Sequence, residues 1–291
     1  MTARSAIEWT HTTWNPVTGC DRISPGCAHC YALTLAKRLK AMGQAKYQTD
    51  GLPPTSGPGF GVAVHPEALT EPLRWRRPRL VFVNSMSDLF HARVPEAFIA
   101  EVFAVMAAAD HHTFQVLTKR PTRMARLLAS EAFHARVAAA LLQLHRQRDR
   151  RGLGWPLPNV WLGVSIELDA YCWRAVRLRQ TPAAVRFLSC EPLLGPLLTL
   201  DLTGIGWVIC GGESGPGHRP VNPAWVRELR DRCIAAGVAF FFKQWGGRTP
   251  KTGGRLLDGR TWDQYPQRQD AVCARLPAPG PGAKPPSPTR G

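Results

Sequence analysis

The sequence lacks any long hydrophobic segment. Although 44% of its 291 residues are hydrophobic, no run of eighteen or more apolar residues occurs without interruption. A helix that spans a membrane needs about 20 such residues, so neither a span nor a membrane partner is expected. Residues 1–9 also lack the apolar core of a signal peptide, which predicts a cytoplasmic protein.

Acidic residues are scarce relative to basic ones. The chain has 37 Lys and Arg against 21 Asp and Glu, a formal charge of +16. This excess suits an anionic partner such as nucleic acid, but a GC-rich genome also enriches a protein in Arg, so both explanations stay open. Basic residues are densest in 119–151 and in 74–79, where Trp75 is expected to pack rather than to bind.

The eight cysteines are not expected to form a disulfide framework, because a cytoplasmic protein keeps its thiols reduced. Five of the eight are scattered over 172–273, and two of these, Cys190 and Cys210, lie in apolar runs typical of core residues. The other three lie within eleven residues and are the candidate metal ligands. They are Cys20, Cys27 and Cys30.

Short apolar runs alternate with helical patterns along most of the chain. The runs that indicate buried strands are 80–84, 113–118, 160–164, 185–189, 207–210 and 238–242, with a further strand near 13–19. The helical patterns are 95–109, 121–148, 168–179 and 223–236. This alternation predicts an α/β fold with parallel strands, either a partial or complete (βα) barrel or a doubly wound open sheet.

Polar residues follow the predicted strands at their carboxyl ends, where ligand sites of both folds lie. Six strand ends carry them, at 84–88, 118–120, 165–167, 189–192, 211–214 and 243–245. One such end is usually a helix cap, but six in register predict a converging site. We expect one domain over residues 1–266, a surface loop at 51–61 and a disordered Pro- and Gly-rich tail at 267–291.

The cysteine spacing, Cys-x6-Cys-x2-Cys, leaves two kinds of metal open. A structural zinc site needs four ligands, and only His11 and His29 lie nearby in the sequence to complete one. Zinc held by three cysteines and a water, as in deaminases, comes with a further signature that this chain lacks. Three thiolates also hold a [4Fe–4S] cluster, in which one iron then remains open.

Motifs along nearly the whole chain resemble those of the phage Gp37/Gp68-like proteins, a family of uncharacterised function. The motifs include Thr13–Cys20, Ser24–Ala32, Met86–Phe90, Leu117–Pro121, Ser189–Leu194, Gly211–Ser214 and Phe242–Gly246, and they continue to about Pro266. The cysteine loop of that family is in turn similar to the loop of radical S-adenosylmethionine (SAM) enzymes. The usual loop is Cys-x3-Cys-x-aromatic-Cys. Here the first gap is six residues and His29 takes the aromatic position, so the match is to a variant.

The resemblance implies a radical SAM-like barrel whose [4Fe–4S] cluster is held by the three cysteines and binds SAM at its open iron. One electron, from a donor that the sequence does not identify, then cleaves SAM to methionine and a 5′-deoxyadenosyl radical. Residues at strand ends are expected to hold the cofactors and the substrate. They are Ser85, Asp88, Lys119, Glu191, Gly211, Gly212 and Glu213.

Individual roles follow from the same resemblance. Asp88 occupies the place that contacts the SAM amino group, although a cap on the following turn is an equal alternative. Lys119 is expected to pair with the SAM carboxylate or with a substrate phosphate. Lys243 and Trp245 are expected to close the far side of the barrel.

Three functions remain in contention. The leading one is a radical SAM-like enzyme that modifies a nucleic acid or a nucleotide-derived group. The second is a zinc-stabilised nucleic-acid-binding protein without catalysis. The third is a metal-dependent nuclease that binds a divalent cation through Asp88, Glu191 and Glu213.

Overall fold

The computed structural model describes residues 5–144, 154–249 and 251–266. The strands are β1 Thr12–Trp14, β2 Val17–Thr18, β3 Ala63–Val64, β4 Leu80–Val83, β5 Thr113–Thr118, β6 Val160–Ser165, β7 Val185–Cys190, β8 Trp207–Gly211 and β9 Ala239–Gln244. The α-helices are α1 Tyr31–Ala41, α2 Pro66–Leu69, α3 Glu96–Ala108, α4 Pro121–Leu128, α5 Glu131–Leu144, α6 Trp173–Arg179 and α7 Pro223–Ala235.

Seven of the strands form one parallel sheet that curls into a half-barrel. Their order is β1-β4-β5-β6-β7-β8-β9, so each strand of the sheet pairs with the next one along the chain. A doubly wound sheet would reverse direction at a switch point, and this order does not. The predicted α/β fold with a partial barrel is therefore confirmed. β2 and β3 form a separate antiparallel ribbon.

The strands have two different faces because successive side chains alternate across the sheet. The outer face contributes residues such as Val83, Val116 and Leu188 to the large core under the helices. The inner face carries a second, aromatic cluster that includes Trp161, Trp207 and others near the amino ends of the strands. The concave side is thus filled at its amino end, which leaves the carboxyl end for a site.

Two predicted elements are divided in the structure. The strand expected near 13–19 is two strands, β1 and β2, separated by Asn15 and Pro16, since a proline has no amide to continue the ladder. The helix expected over 121–148 is α4 followed by α5. The second begins where the Ser130 hydroxyl accepts from the Phe133 amide at 3.4 Å, as an N-cap does. Residues 145–148 of that prediction lie outside the described residues.

Several smaller predictions can be compared directly. Cys190 and Cys210 are fully buried core residues, and Trp75 is buried against the His112 ring, as expected. The 51–61 loop is only partly a surface loop, because Phe60 is buried and packs against helix α1. The predicted tail at 267–291 lies outside the described residues. Within the described ranges, no helix is long and apolar enough to cross a membrane.

Candidate functional site

The cysteine loop lies at the carboxyl ends of the parallel strands. It begins after β2 and ends at Cys30, the residue immediately before α1. The Gly19 amide donates to the Met86 carbonyl at 3.0 Å, which ties the start of the loop to the end of β4. A Cβ at Gly19 would lie 2.0 Å from the Gly61 carbonyl oxygen, and its φ is +84°, so only glycine fits there.

The three thiols are partly buried. The charge of Cys27 affects the pKa of both Cys20 and Cys30. Burial raises the pKa of Cys20 to about 12, and the neighbouring Cys27 adds to the rise. Burial also raises the pKa of Cys30, again with a contribution from Cys27. Without a metal, Cys20 and Cys30 are therefore protonated at neutral pH, and ligation would have to release those protons.

Two cations from the end of β5 oppose this effect of burial. Arg120 lowers the pKa of Cys20, and its Nη1 lies 3.4 Å from the Cys20 Sγ. Lys119 lowers the pKa of Cys30 by its charge. Positive charge beside these sulfurs favours the thiolate, the form that binds metal.

Asp88 holds Arg120 in this position. One carboxylate oxygen accepts from the Arg120 Nη1 at 2.9 Å and from the Lys119 amide at 3.0 Å. The other accepts from the Thr118 hydroxyl at 2.7 Å and from the Phe90 amide at 3.0 Å. Both oxygens are engaged, and the bond from Phe90 is the turn cap that the sequence left open. The contact of Asp88 with SAM stays a prediction.

Glu167, at the end of β6, joins the loop to the sheet. Its fully buried carboxylate pairs with Lys119 at 3.0 Å and with Arg174 at 3.0 Å, and it accepts from the Gly26 amide at 3.4 Å. Burial opposes its ionisation, but Lys119 and a hydrogen bond from Ser24 outweigh that effect and lower the pKa of Glu167. Lys119 is thus already paired.

Glu213, after β8, binds the loop from the other side. Its carboxylate lies 2.9 Å from the His29 Nδ1 and also accepts from the amide and the guanidinium of Arg219. The same guanidinium donates to the Pro25 carbonyl at 2.9 Å. Burial raises the pKa of Glu213, but the donors on Arg219 and His29 outweigh it and lower the value to about 2.

Glu191 and Lys243 form an ion pair of a different kind. The Lys243 Nζ lies 2.5 Å from a Glu191 carboxylate oxygen, across the intervening strand β8, and both side chains are partly exposed. Gly211 lies next to Glu191, whose Cγ would be 3.4 Å from a Cβ at this glycine. A Cβ at Gly212 would lie 2.0 Å from the Trp245 carbonyl oxygen, so only a glycine leaves room for the neighbouring backbone there. No hydrogen bond from the described part of the cysteine loop reaches this pair.

The histidines that could complete a zinc site point elsewhere. His11 lies at the amino end of the sheet, where its Nδ1 accepts from the Leu80 amide at 3.1 Å. His29 is turned to Glu213. Over residues 5–144, 154–249 and 251–266, no group of three or more His, Cys, Asp or Glu side chains is arranged to hold a metal ion. By donor type, three thiols on one loop are ligands that soft metals and iron–sulfur clusters take. In the described residues, however, the three are not grouped as they would be around one ion.

The carboxylates considered for a nuclease are not brought together. Each of the three is in its own ion pair at a different strand end, so the described residues offer no shared carboxylate site. The pairs are Asp88–Arg120, Glu191–Lys243 and Glu213–Arg219.

Asp21, which the sequence did not single out, is a further anchor of the loop. It directly follows the first cysteine and accepts from Thr55 at 2.7 Å, Ser56 at 3.1 Å, His91 at 2.8 Å and Arg93 at 2.7 Å. The only signal in the sequence was an acidic residue inside the cysteine loop. Its partners are 34 to 72 residues away, so spacing could not identify them.

These features define a class: a parallel α/β half-barrel whose cysteine loop is held over the strand ends by hydrogen bonds and ion pairs. A family described as "Protein of unknown function (DUF5131)" matches residues 4–266, and the chain belongs to that family. Comparison with curated proteins and with solved structures found no match.

Proposed function

We propose that this protein is a radical SAM-like iron–sulfur enzyme whose [4Fe–4S] cluster is held by Cys20, Cys27 and Cys30. The observation that carries the proposal is the place of these thiols, on one partly buried loop at the carboxyl ends of a parallel half-barrel. Three protein ligands leave one iron open for a substrate or cofactor. When bound, such a cluster supplies the electron that cleaves SAM. The resemblance of the motifs to phage Gp37/Gp68-like proteins supports the same reading.

The residues of the chain have separable roles in this proposal. Arg120 and Lys119 place positive charge next to the ligating sulfurs, which favours thiolates over thiols. Glu167 and Glu213 hold the backbone and His29 of the loop, which anchors the loop at the strand ends, and the three thiols would be drawn together when a cluster binds. These four side chains contact the loop or one another, and the contact of Lys119 and Glu213 with SAM remains part of the proposal.

The other groups proposed to contact SAM or the substrate make fewer hydrogen bonds and ion pairs with the loop. Ser85 donates to the Asn15 side chain at 3.2 Å and lies beside the cysteine loop at the end of β4. Glu191 and Lys243 offer a carboxylate and an ammonium group on the partly exposed side of the site. Within the proposal, Ser85 and Glu191 meet the polar groups of SAM, and Lys243 meets an anionic group of the substrate.

Anaerobic reconstitution tests the proposal. Protein treated with iron and sulfide is expected to hold about four of each per chain, and reduction is expected to give a cluster signal in electron paramagnetic resonance that SAM alters. With dithionite and SAM, 5′-deoxyadenosine should accumulate.

Two cysteine variants make the test specific to the loop. Cys27→Ala should lose the iron, whereas Cys172→Ala, at a buried cysteine outside the loop, should keep it. Stoichiometric zinc in anaerobically purified protein, with no cluster after reconstitution, would favour the zinc-stabilised alternative. Iron retained by Cys27→Ala would contradict the ligand assignment.

A further inference from the structure

Helix α1 carries an exposed stripe that starts beside the cysteine loop. Tyr31, Leu35, Arg38 and Met42 follow one another at spacings of three and four residues, which places them along one side of the helix. Tyr31 is 54% exposed, Leu35 38% and Met42 60%. We call these four residues the α1 stripe. The opposite side of the helix is buried through Ala32 and Ala36.

The chain segment that carries the α1 stripe has charge of one sign. Residues 22–46 contain five Lys and Arg and no Asp or Glu. Two of the five are compensated, since Lys40 pairs with an aspartate and Lys46 with a glutamate. Arg22, Lys37 and Arg38 are exposed, and none of them forms an ion pair with any residue that the structure describes. Arg38 lies on the α1 stripe, and Arg22 and Lys37 add two further uncompensated cations from the same segment.

Tyr31 connects this surface to the site. It is the residue directly after Cys30, and its hydroxyl donates to the Ser85 carbonyl at 2.5 Å. The hydroxyl is thus fixed at the end of β4 while much of the ring remains exposed to solvent. A fixed, exposed aromatic ring beside a basic surface is the combination on which single-stranded nucleic acids stack their bases.

We propose that the α1 stripe, with Arg22 and Lys37, binds a single-stranded polynucleotide and leads it to the cysteine loop. Tyr31 stacks on a base, the three cations contact phosphates, and Leu35 and Met42 provide apolar contact for further base faces. Residues 22–46 contain no acidic residue, and this excess of positive charge favours a polyanion as the partner. A surface that binds another protein mainly through apolar contacts would not need such an excess. The inference names the substrate class of the proposed function, but binding by this surface needs no cluster.

Binding can be measured by fluorescence anisotropy with labelled DNA and RNA strands of about twelve nucleotides, using the full metal-free chain at several salt concentrations. Separate measurements with DNA and with RNA show which of the two nucleic acids this surface binds. Removing three phosphate contacts in R22Q/K37Q/R38Q should reduce the salt slope by about 2, since each contact contributes roughly 0.7 for single strands. The affinity at low salt should fall at least tenfold.

A second triple variant tests whether binding depends on where the charges lie or only on the net charge of the protein. R74Q/R76Q/R77Q removes the same three charges from exposed positions before β4, at the opposite end of the sheet. Its affinity should change less than threefold. Tyr31→Ala should weaken binding roughly tenfold without changing the salt slope, and Tyr31→Phe should retain most of the affinity because the ring remains. Thermal unfolding confirms that each variant is folded.

Several results would overturn the inference. Equal losses in the two triple variants would mean that overall charge, not the α1 stripe, causes binding. Failure of the unmodified chain to bind either strand would refute it outright, as would equally strong binding to phosphatidylserine vesicles through the same residues. Because the assay uses metal-free protein, a negative result here and a failed cluster reconstitution remain distinguishable.

Discussion

Glu213→Gln is expected to loosen the cysteine loop and to remove a pH-dependent part of the stability. The carboxylate is 5% exposed and binds Arg219 and His29. Its pKa is lowered from 4.5 to about 2, and at 1.36 kcal/mol per pKa unit the ionised form contributes about 3 kcal/mol. At pH 7 the variant should lose about this much free energy of unfolding.

The pH dependence has a definite sign. Because the folded-state pKa lies below the unfolded value, the contribution of Glu213 is complete above about pH 5 and is lost as the pH falls towards 2. Urea unfolding of both proteins between pH 7 and 2 should show their difference shrinking over this range. Glu228→Gln, an exposed carboxylate paired at 3.8 Å, is the control and should cost under about 0.5 kcal/mol. A difference that stays constant with pH would refute the role of ionised Glu213.

Two further substitutions test the packing of the site. Arg120→Met should cost about 2 kcal/mol in urea unfolding, because the buried Asp88 loses a charge-assisted hydrogen bond, while Arg126→Met at an exposed pair should cost little. In a reconstituted cluster, Arg120→Met should also lower the reduction potential measured by redox titration. Gly212→Ala should cost about 3 kcal/mol by overpacking against the adjacent backbone, whereas Gly211→Ala, whose nearest neighbour would lie at 3.4 Å, should be tolerated. Equal costs for the two members of either pair would contradict the reasoning.

Much of the fold could be predicted from local pattern. Strands buried on both faces are continuous apolar runs, and the predicted strand at 113–118 coincides with β5. The strand expected near 13–19 was wrong in extent, because a turn at Asn15 and Pro16 interrupts the apolar pattern without removing it. The loop at 51–61 was wrong in burial, since its composition of Pro and Gly does not reveal that Phe60 packs on a distant helix.

The site was predictable in position but not in pairing. The cysteine trio and the polar strand ends were expected to converge, and the loop is indeed in contact with the residues at the ends of β5, β6 and β8. The partners were not predictable. His29 and Glu213 are 184 residues apart, and Arg120 and Cys20 are 100 apart. Nothing in the local sequence of either partner identifies the other.

The sequence by itself determined the order of strands and helices and the presence of a cysteine loop, because hydrophobic periodicity and residue spacing are local properties. Only the tertiary structure decided which charges meet. Hydrogen bonds and ion pairs act over about 3 Å, so their partners are chosen by how the sheet curls and where the loop crosses its edge. That is why the sequence could not show that Asp88, Lys119 and Glu213 hold the loop and its neighbours in place, while their expected contacts with a cofactor stay a prediction.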